Sequence, residues 1–166
     1  MSEVSCGFSD VPGGASGSAL LVNYGPTLLV DIGFDSNFKP VVGQVPTPGM
    51  KGIQALVDTG ATQCCIDSLL AAQLNLPIVD KQRVGGVHGS LEVNMHLAQV
   101  HIPALNFTIW GMFAAVHLVA GGQRHKALLG RTFLCHCKMV FDGKTGKVSI
   151  TYPPPHSPPP DPPAQK

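Results

Sequence analysis

Apolar and polar residues alternate along several short segments of the chain, and this period of two predicts β-strands. Between Leu91 and Leu97 every odd position is apolar, a pattern typical of a strand with one buried face. Thr27–Ile32 and Ile53–Val57 are rich in aliphatic and β-branched residues, which favour strands. Further strands are predicted over residues 107–110, 112–116, 127–129, 138–141 and 147–152.

Helix signals are scarce by comparison. Asp67 is positioned to cap a helix over Ser68–Leu74, and Thr132–Cys137 has room for a turn or two. The run Asp142-Gly143-Lys144-Thr145-Gly146 predicts a hairpin turn between the last two strands. The chain is therefore expected to be mostly β, with one or two short helices.

The two ends differ in composition from the middle. Residues 1–20 are rich in glycine and serine and are expected to form a flexible N-terminal arm. Residues 153–166 contain more than half of the 15 prolines, and proline lacks the N–H that a helix or sheet needs. We expect an extended, disordered tail there, interpreted as a spacer rather than a ligand, and one domain over residues 21–152.

Composition excludes some functions. Charged residues make up 13% of the 166-residue chain and the net charge is +1, so no basic surface is expected to bind nucleic acid. No apolar run approaches the roughly 20 residues that span a bilayer, and no basic segment followed by an apolar core suggests a signal peptide. Five cysteines are an odd number that favours reduced thiols. We expect a soluble, cytoplasmic protein with no membrane partner.

Three motifs carry the candidate chemistry. Asp58-Thr59-Gly60 follows the apolar Ala55-Leu56-Val57 and precedes Ala61-Thr62. A glycine-rich run comes next, made of Gly85, Gly86, Val87, His88 and Gly89, and then Leu128-Leu129-Gly130-Arg131. Alone, Asp-Thr-Gly is compatible with an ordinary turn after a strand. The three motifs in this order favour a functional reading.

Over about residues 22–152 these motifs resemble the retropepsin-type aspartic peptidases, the single-lobe family that includes retroviral proteases. The resemblance implies a closed, barrel-like β-lobe that is active as a homodimer, because the chemistry needs two carboxylates and each chain supplies one. It implies an endopeptidase that cleaves extended peptide or protein segments. Two copies of Asp58 would share a proton, one activating water and the other polarising the peptide carbonyl, with no metal or cofactor.

The resemblance also assigns roles to the neighbouring residues. Thr59 would bond the catalytic loop of the partner chain, and Gly60 would let the backbone turn tightly beside substrate. Residues 85–89 would form a flap that closes over substrate, with His88 at its tip. Leu128, Leu129, Gly130 and Arg131 would support the catalytic loop rather than take part in chemistry.

Two features depart from the retroviral pattern. The arginine that matches Arg131 pairs there with an acid just after Asp-Thr-Gly-Ala, whereas Thr62 and then Gln63 follow here. The chain also continues into a further strand, Val148–Tyr152. This extension is more similar to cellular and bacterial members, and it predicts a dimer interface built from different terminal strands.

Two other interpretations are open to test. Cys64, Cys65, Cys135, His136 and Cys137 are ligand types that zinc accepts. Without a Cys-x-x-Cys spacing, we interpret the cysteines as small buried hydrophobic residues. The alternative function is a non-catalytic retropepsin-like dimer that binds peptides or acts as a scaffold.

Overall fold

Two β-sheets and three α-helices make up the fold, in a computed structural model that describes residues 2–41, 43–86 and 89–152. The strands are β1 Ser2–Ser5, β2 Thr27–Gly33, β3 Met50–Val57, β4 Cys65–Asp67, β5 Ile78–Gly86, β6 Gly89–Ile102, β7 Phe107–Val116, β8 Ala127–Leu129, β9 Lys138–Asp142 and β10 Lys147–Tyr152. The helices are α1 Gly17–Tyr24, α2 Ser68–Gln73 and α3 Arg131–Leu134, with a 3-10 turn at Pro103–Leu105. In these ranges no helix is long and apolar enough to cross a membrane.

The larger sheet closes on itself. Its strand order is β2-β3-β8-β4-β7-β6-β5, and β2 also pairs with β6. Six strands therefore form a barrel, and β5 extends from β6 as the outer arm of a hairpin. The prediction of a mostly β, closed-barrel lobe is confirmed.

Barrel closure changes the alternation that the sequence predicts. In β2, Leu28, Val30 and Ile32 point into the core while Leu29 faces outward, as a period of two requires. In β6 the alternation holds at Val93 and Met95, but every residue from 98 to 102 is buried. That end of β6 pairs with β2 on one edge and with β7 on the other. Its two polar residues have partners of their own: Gln99 Oε1 accepts from the Asp35 N–H at 2.7 Å, and His101 Nδ1 lies 2.9 Å from the Thr108 hydroxyl.

The predicted strands over residues 107–110 and 112–116 form one strand. Gly111 has a φ of 129° and pairs with Ala98 of β6. The hydrogen-bond ladder between β6 and β7 therefore continues across this glycine. The positive φ is a conformation that glycine adopts without the steric cost of a Cβ.

The smaller sheet, in the order β1-β10-β9, corrects the expectation of a flexible arm over residues 1–20. Ser2 pairs with Tyr152 and Ser5 with Ser149, and Cys6 is buried in the core. The hairpin predicted between β9 and β10 is confirmed. The proline-rich tail predicted over 153–166 lies outside the described residues.

Helix α1 also contradicts the expectation of a flexible arm over residues 1–20, and close packing explains why this segment is ordered. The Ser16 hydroxyl caps the helix by accepting from the Ala19 N–H at 3.1 Å. A Cβ on Gly17 would lie 2.5 Å from the Phe8 carbonyl oxygen and 2.9 Å from that of Thr145. Gly17 therefore allows two backbone segments to pack closely. The glycine-rich composition had instead indicated a flexible arm.

Asp67 ties three elements together, and its predicted role as a helix cap is confirmed. Its Oδ2 accepts from the N–H groups of Leu69 and Leu70 at 3.1 and 3.2 Å. Its Oδ1 accepts from Leu118 and Val119 at 3.1 and 3.0 Å. The side chain is 1% exposed, so this buried carboxylate is stabilised by four backbone donors that join α2 to the loop after β7.

The cysteines follow the prediction only in part. Cys6, Cys64 and Cys65 are buried, whereas Cys135 is exposed and Cys137 half-buried; all five are free thiols. Burial raises the pKa of Cys6, Cys65 and Cys137 to about 11. The interpretation of Cys135 as a buried residue was wrong, because the end of α3 faces outward.

We predict that Asp67→Ala lowers the free energy of unfolding by about 3 kcal/mol, because four N–H groups lose a charged acceptor. Asp67→Asn keeps one acceptor oxygen and is expected to lose less. Urea unfolding measures both, with the exposed Asp80→Ala as a control. Equal stability of Asp67→Ala and the control would contradict this role.

We also predict that iodoacetamide at pH 8 modifies Cys135 before the other cysteines. A thiol with a pKa of about 11 is only about 0.1% thiolate at that pH, and burial limits access further. Mass spectrometry after brief labelling locates the modified residue. A first adduct that persists in Cys135→Ser at the wild-type rate would contradict the prediction.

Candidate active site

Asp58 lies where buried strand β3 leaves the core. Ile53, Ala55 and Val57 are buried, Asp58 is half-buried, and Thr59 and Gly60 are exposed. The Asp58 N–H donates to the Leu129 carbonyl at 3.1 Å. The strand ladder thus continues to the aspartate itself, and the carboxylate emerges from a rigid support.

Gly60 orients the carboxylate from within the same loop. Its N–H donates to Asp58 Oδ1 at 2.8 Å, and a Cβ on Gly60 would stand 3.0 Å from that oxygen. The Ala61 N–H donates to the Asp58 carbonyl at 3.3 Å. The loop therefore makes a tight turn that directs one backbone donor at the acid.

Strand β8 supports this loop from beside it. Leu129 pairs in parallel with Val57, and Gly130 follows in a buried position. A Cβ on Gly130 would lie 2.5 Å from the Gln63 carbonyl oxygen and 2.9 Å from that of Ala61. Only glycine lets the two backbones approach this closely.

Arg131 finds partners that are not acids. Its Nη1 donates to the carbonyl oxygens of Thr59 and Gly60 at 2.9 and 3.0 Å, and its Nη2 donates to the Thr62 hydroxyl at 2.8 Å. The guanidinium fork thus holds three residues of the loop after Asp58 within one chain. The acid missing from the sequence is replaced by backbone carbonyls, which a residue pattern does not reveal.

An apolar cluster lies at strand β8, where Leu128 pairs with Leu56, two residues before Asp58; sequence reasoning missed it. Its buried members are Cys65, Val93, Met95 and Ala114, with Val84, Val116 and Leu128 packed against them. Burial chiefly raises the pKa of the Cys65 thiol to about 11, with contributions from Cys64 and from the negative charge of Asp58. The alternation in β6 was the available signal, but the partners come from four other strands.

The glycine-rich run lies at the end of the β5–β6 hairpin. Gly85 pairs with Ser90 and Gly86 with Gly89, and Gly89 has φ of 114°. Val87 and His88 lie outside the described residues. The hairpin that the sequence indicated is present, and its outer arm β5 pairs along its length with β6.

The cysteine and histidine residues that the structure describes do not converge on a metal site. Within residues 2–41, 43–86 and 89–152, no group of three or more His, Cys, Asp or Glu side chains is placed to hold a metal ion. Cys64 instead lies 3.6 Å from the Thr132 hydroxyl, and Cys135 donates to the Thr132 carbonyl at 3.4 Å.

Similarity to known proteins is found in a family model and among solved structures. Curated proteins include no match to the chain. Among solved structures, the EIAV protease complexed with the inhibitor HBY-793 is similar at 18% identity and a TM-score of 0.42, over 66% of this chain and 85% of that one. A model of the gag-polyprotein putative aspartyl protease family matches residues 49–136, just over half of the chain. The chain therefore belongs to this family of retropepsin-like aspartyl proteases.

Proposed function

We propose that the protein is an aspartic endopeptidase that cleaves extended protein segments as a homodimer. The observation that carries the proposal is the support of Asp58. Its carboxylate accepts from Gly60 N–H at 2.8 Å, and its backbone is bonded to Leu129. Electrostatic catalysis depends on groups that are already in position before the reaction, and this loop is held on both sides.

In the proposed mechanism, the two Asp58 carboxylates face each other across a water molecule and share one proton. The ionised carboxylate takes a proton from the water, whose oxygen attacks the peptide carbonyl carbon. The protonated carboxylate donates to the carbonyl oxygen, giving a neutral tetrahedral diol. Proton transfer to the amide nitrogen then allows the C–N bond to break. Activity is expected to be highest at mildly acidic pH, where the pair holds one proton.

A second copy of the chain is required, and β9 is the surface that we propose for it. Within the described residues β9 pairs only with β10, so one of its edges has free N–H and C=O groups. Phe141 lies opposite the buried Val148 and so on the inner face of the sheet, yet it is 57% exposed. An aromatic side chain on the core face with no cover favours a symmetric partner.

Strand β9 is also close in sequence to Arg131, the residue that holds the Asp58 loop. Arg131, which holds the catalytic loop, begins α3, and this four-residue helix is followed by β9. A symmetric contact between two β9 strands would therefore bring two Arg131–loop units towards each other. This is the arrangement that paired Asp58 residues need.

Substrate is proposed to bind as an extended strand beneath the β5–β6 hairpin. Main-chain hydrogen bonds supply affinity in such binding, and side-chain pockets supply selectivity. The apolar cluster around Cys65 and Leu128 would provide a water-poor wall beside Asp58. We also propose a cytoplasmic location, since the five thiols are free, as is usual in reducing compartments.

We predict that Asp58→Asn lowers kcat for peptide cleavage by at least about 10³-fold, the scale of general acid–base catalysis, while the dimer persists. Cleavage of a peptide library across pH, with sedimentation of the same samples, measures both properties. Asp35→Asn, in a loop away from the site, is the control. Unchanged cleavage by Asp58→Asn would exclude Asp58 as the catalyst. Peptide binding by the wild type without cleavage would favour the non-catalytic dimer.

We predict that Phe141→Arg raises the dimer dissociation constant at least tenfold, which corresponds to about 1.4 kcal/mol, because the second copy then meets a buried charge. Activity is expected to fall with dimer content and to recover at high protein concentration. Sedimentation velocity and activity across concentration measure this, with the exposed Val41→Arg as the control. A wild-type protein that is fully active as a monomer would exclude the shared site.

A further inference from the structure

Two adjacent side chains, Arg124 and His125, attach the segment before β8 to other elements. The Arg124 guanidinium lies 4.0 Å from the centre of the Tyr24 ring, at the end of α1. The His125 Nε2 lies 2.8 Å from the hydroxyl of Thr27, the first residue of β2. These four residues are called the His125 cluster.

The hydrogen bonds of the cluster fix the position of the proton on the His125 ring. The Thr27 hydroxyl donates to the Gly25 carbonyl at 3.1 Å, and it has only one hydrogen to donate. It therefore accepts from His125, so Nε2 is the ring nitrogen that carries the proton. In the neutral ring Nδ1 is then a bare acceptor.

This Nδ1 atom is buried without a hydrogen-bond partner. Among the buried side-chain nitrogen and oxygen atoms of residues 2–41, 43–86 and 89–152, it alone lacks one, and the whole residue is 2% exposed. A proton added to Nδ1 would create a buried positive charge and a new N–H group with no acceptor. The folded chain therefore favours the neutral ring.

The charged residues on either side of His125 oppose a further positive charge. Burial, and after it the positive charge of Arg124, lowers the pKa of His125 below its ordinary value of 6.5. Lys126, the next residue, is also a cation. Protonation of the ring would place a third positive charge in this short segment.

The other elements at the cluster do not supply a balancing negative charge. From the N-terminal segment, the Cys6 carbonyl accepts from the Thr27 N–H at 2.8 Å. Burial raises the pKa of the Cys6 thiol to about 11, so this thiol is uncharged near neutral pH. Helix α1 contributes the phenol ring of Tyr24, and β2 contributes the hydroxyl of Thr27.

The cluster lies directly before the strand that supports Asp58. The Lys126 N–H donates to the Gln54 carbonyl at 3.0 Å, and the Lys126 carbonyl accepts from the Asp67 N–H at 2.9 Å. Strand β8 follows, and its last residue, Leu129, accepts from the Asp58 N–H at 3.1 Å. Movement of the chain at His125 would therefore be transmitted to the Asp58 loop through a short, continuously paired segment.

We infer that the His125 cluster is an acid-sensitive switch: protonation of the buried ring releases the segment before β8 from Thr27 and Tyr24 and loosens the support of Asp58. The proton comes from solvent and binds the Nδ1 lone pair, without any change in covalent structure. An open chain takes up this proton at the ordinary pKa of about 6.5 and the folded chain only at lower pH. The cluster therefore stabilises the fold fully above pH 6.5, and this contribution is lost as the pH falls towards the folded pKa.

The pH dependence of stability tests the switch. One additional proton bound by the open chain lowers the folded-to-unfolded ratio by up to about tenfold per pH unit below 6.5. Urea unfolding between pH 7 and 5 is expected to show a steeper loss for the wild type than for His125→Gln, which keeps an N–H donor but does not titrate. His136→Gln, at an exposed histidine, is the matched control and is expected to keep the wild-type slope. A wild-type slope in His125→Gln would overturn the inference.

NMR of the ring nitrogens provides a test on the unmodified chain. His125 is expected to remain neutral, with its proton on Nε2, at the pH where the exposed His136 ring is half protonated. The reason is that only the buried ring lacks a partner for a second proton. A His125 ring that becomes protonated together with the His136 ring would overturn the inference.

Hydrogen exchange locates the opening. Between pH 7 and 5.5, after correction for intrinsic rates, the Lys126 and Asp58 amides are expected to lose protection. The Leu97 amide, which donates to the Pro77 carbonyl at 2.9 Å, is the reference and is expected to keep its protection. In His125→Gln the difference is expected to disappear. Equal loss at all three amides in the wild type would indicate global unfolding and would overturn a local switch.

The switch goes beyond the proposed peptidase function and does not depend on it. All three measurements report on the fold and need no substrate. A chain that shows them without cleaving peptides would retain the switch and exclude the peptidase. A chain that cleaves peptides but shows none of them would retain the peptidase and exclude the switch.

Discussion

The parallel pairing of β3 with β8 is the contact on which the rest of the site depends. It sets Val57 beside Leu129 and lets the Asp58 N–H reach the Leu129 carbonyl. The residues that follow each strand then meet: the Asp58 loop follows β3, and Gly130 and Arg131 follow β8. A shift of one residue in this register would move Arg131 away from its three acceptors and leave the loop without support.

Close backbone approach is the second constraint, and glycine meets it at two separate places. Gly130 allows the end of β8 to lie against the carbonyls of Ala61 and Gln63, which brings Arg131 to the Asp58 loop. Gly17 allows α1 to pack on the backbone of Phe8 and Thr145, which joins the N-terminal segment to the smaller sheet. Both contacts are between segments distant in sequence, so their energetic value appears only once the chain has folded.

The charged side chains that hold the loops bond to backbone groups. Arg131 and Asp67 both bond mainly to main-chain groups rather than to an opposite charge. Such contacts fix loops without requiring a matching side chain, since every non-proline residue supplies an N–H and a carbonyl. On the side of Cys65 the surroundings are apolar, with Val93, Met95 and Ala114 buried in the same cluster.

The sequence by itself determined seven of the ten strands, the Asp67 cap, the hairpin between β9 and β10, and the order of the three motifs, because these depend on residues near one another in the chain. It also identified Asp58 as the candidate acid and Arg131 as a residue without its usual partner. Only the tertiary structure decided that residues 2–5 pair with β10, that Arg131 bonds the loop carbonyls, and that Trp110 lines the same groove as Gln63. These features join segments far apart in sequence, and their acceptors are often backbone atoms common to all residues. Local periodicity does not predict such contacts, because they form only when the barrel closes and brings distant segments together.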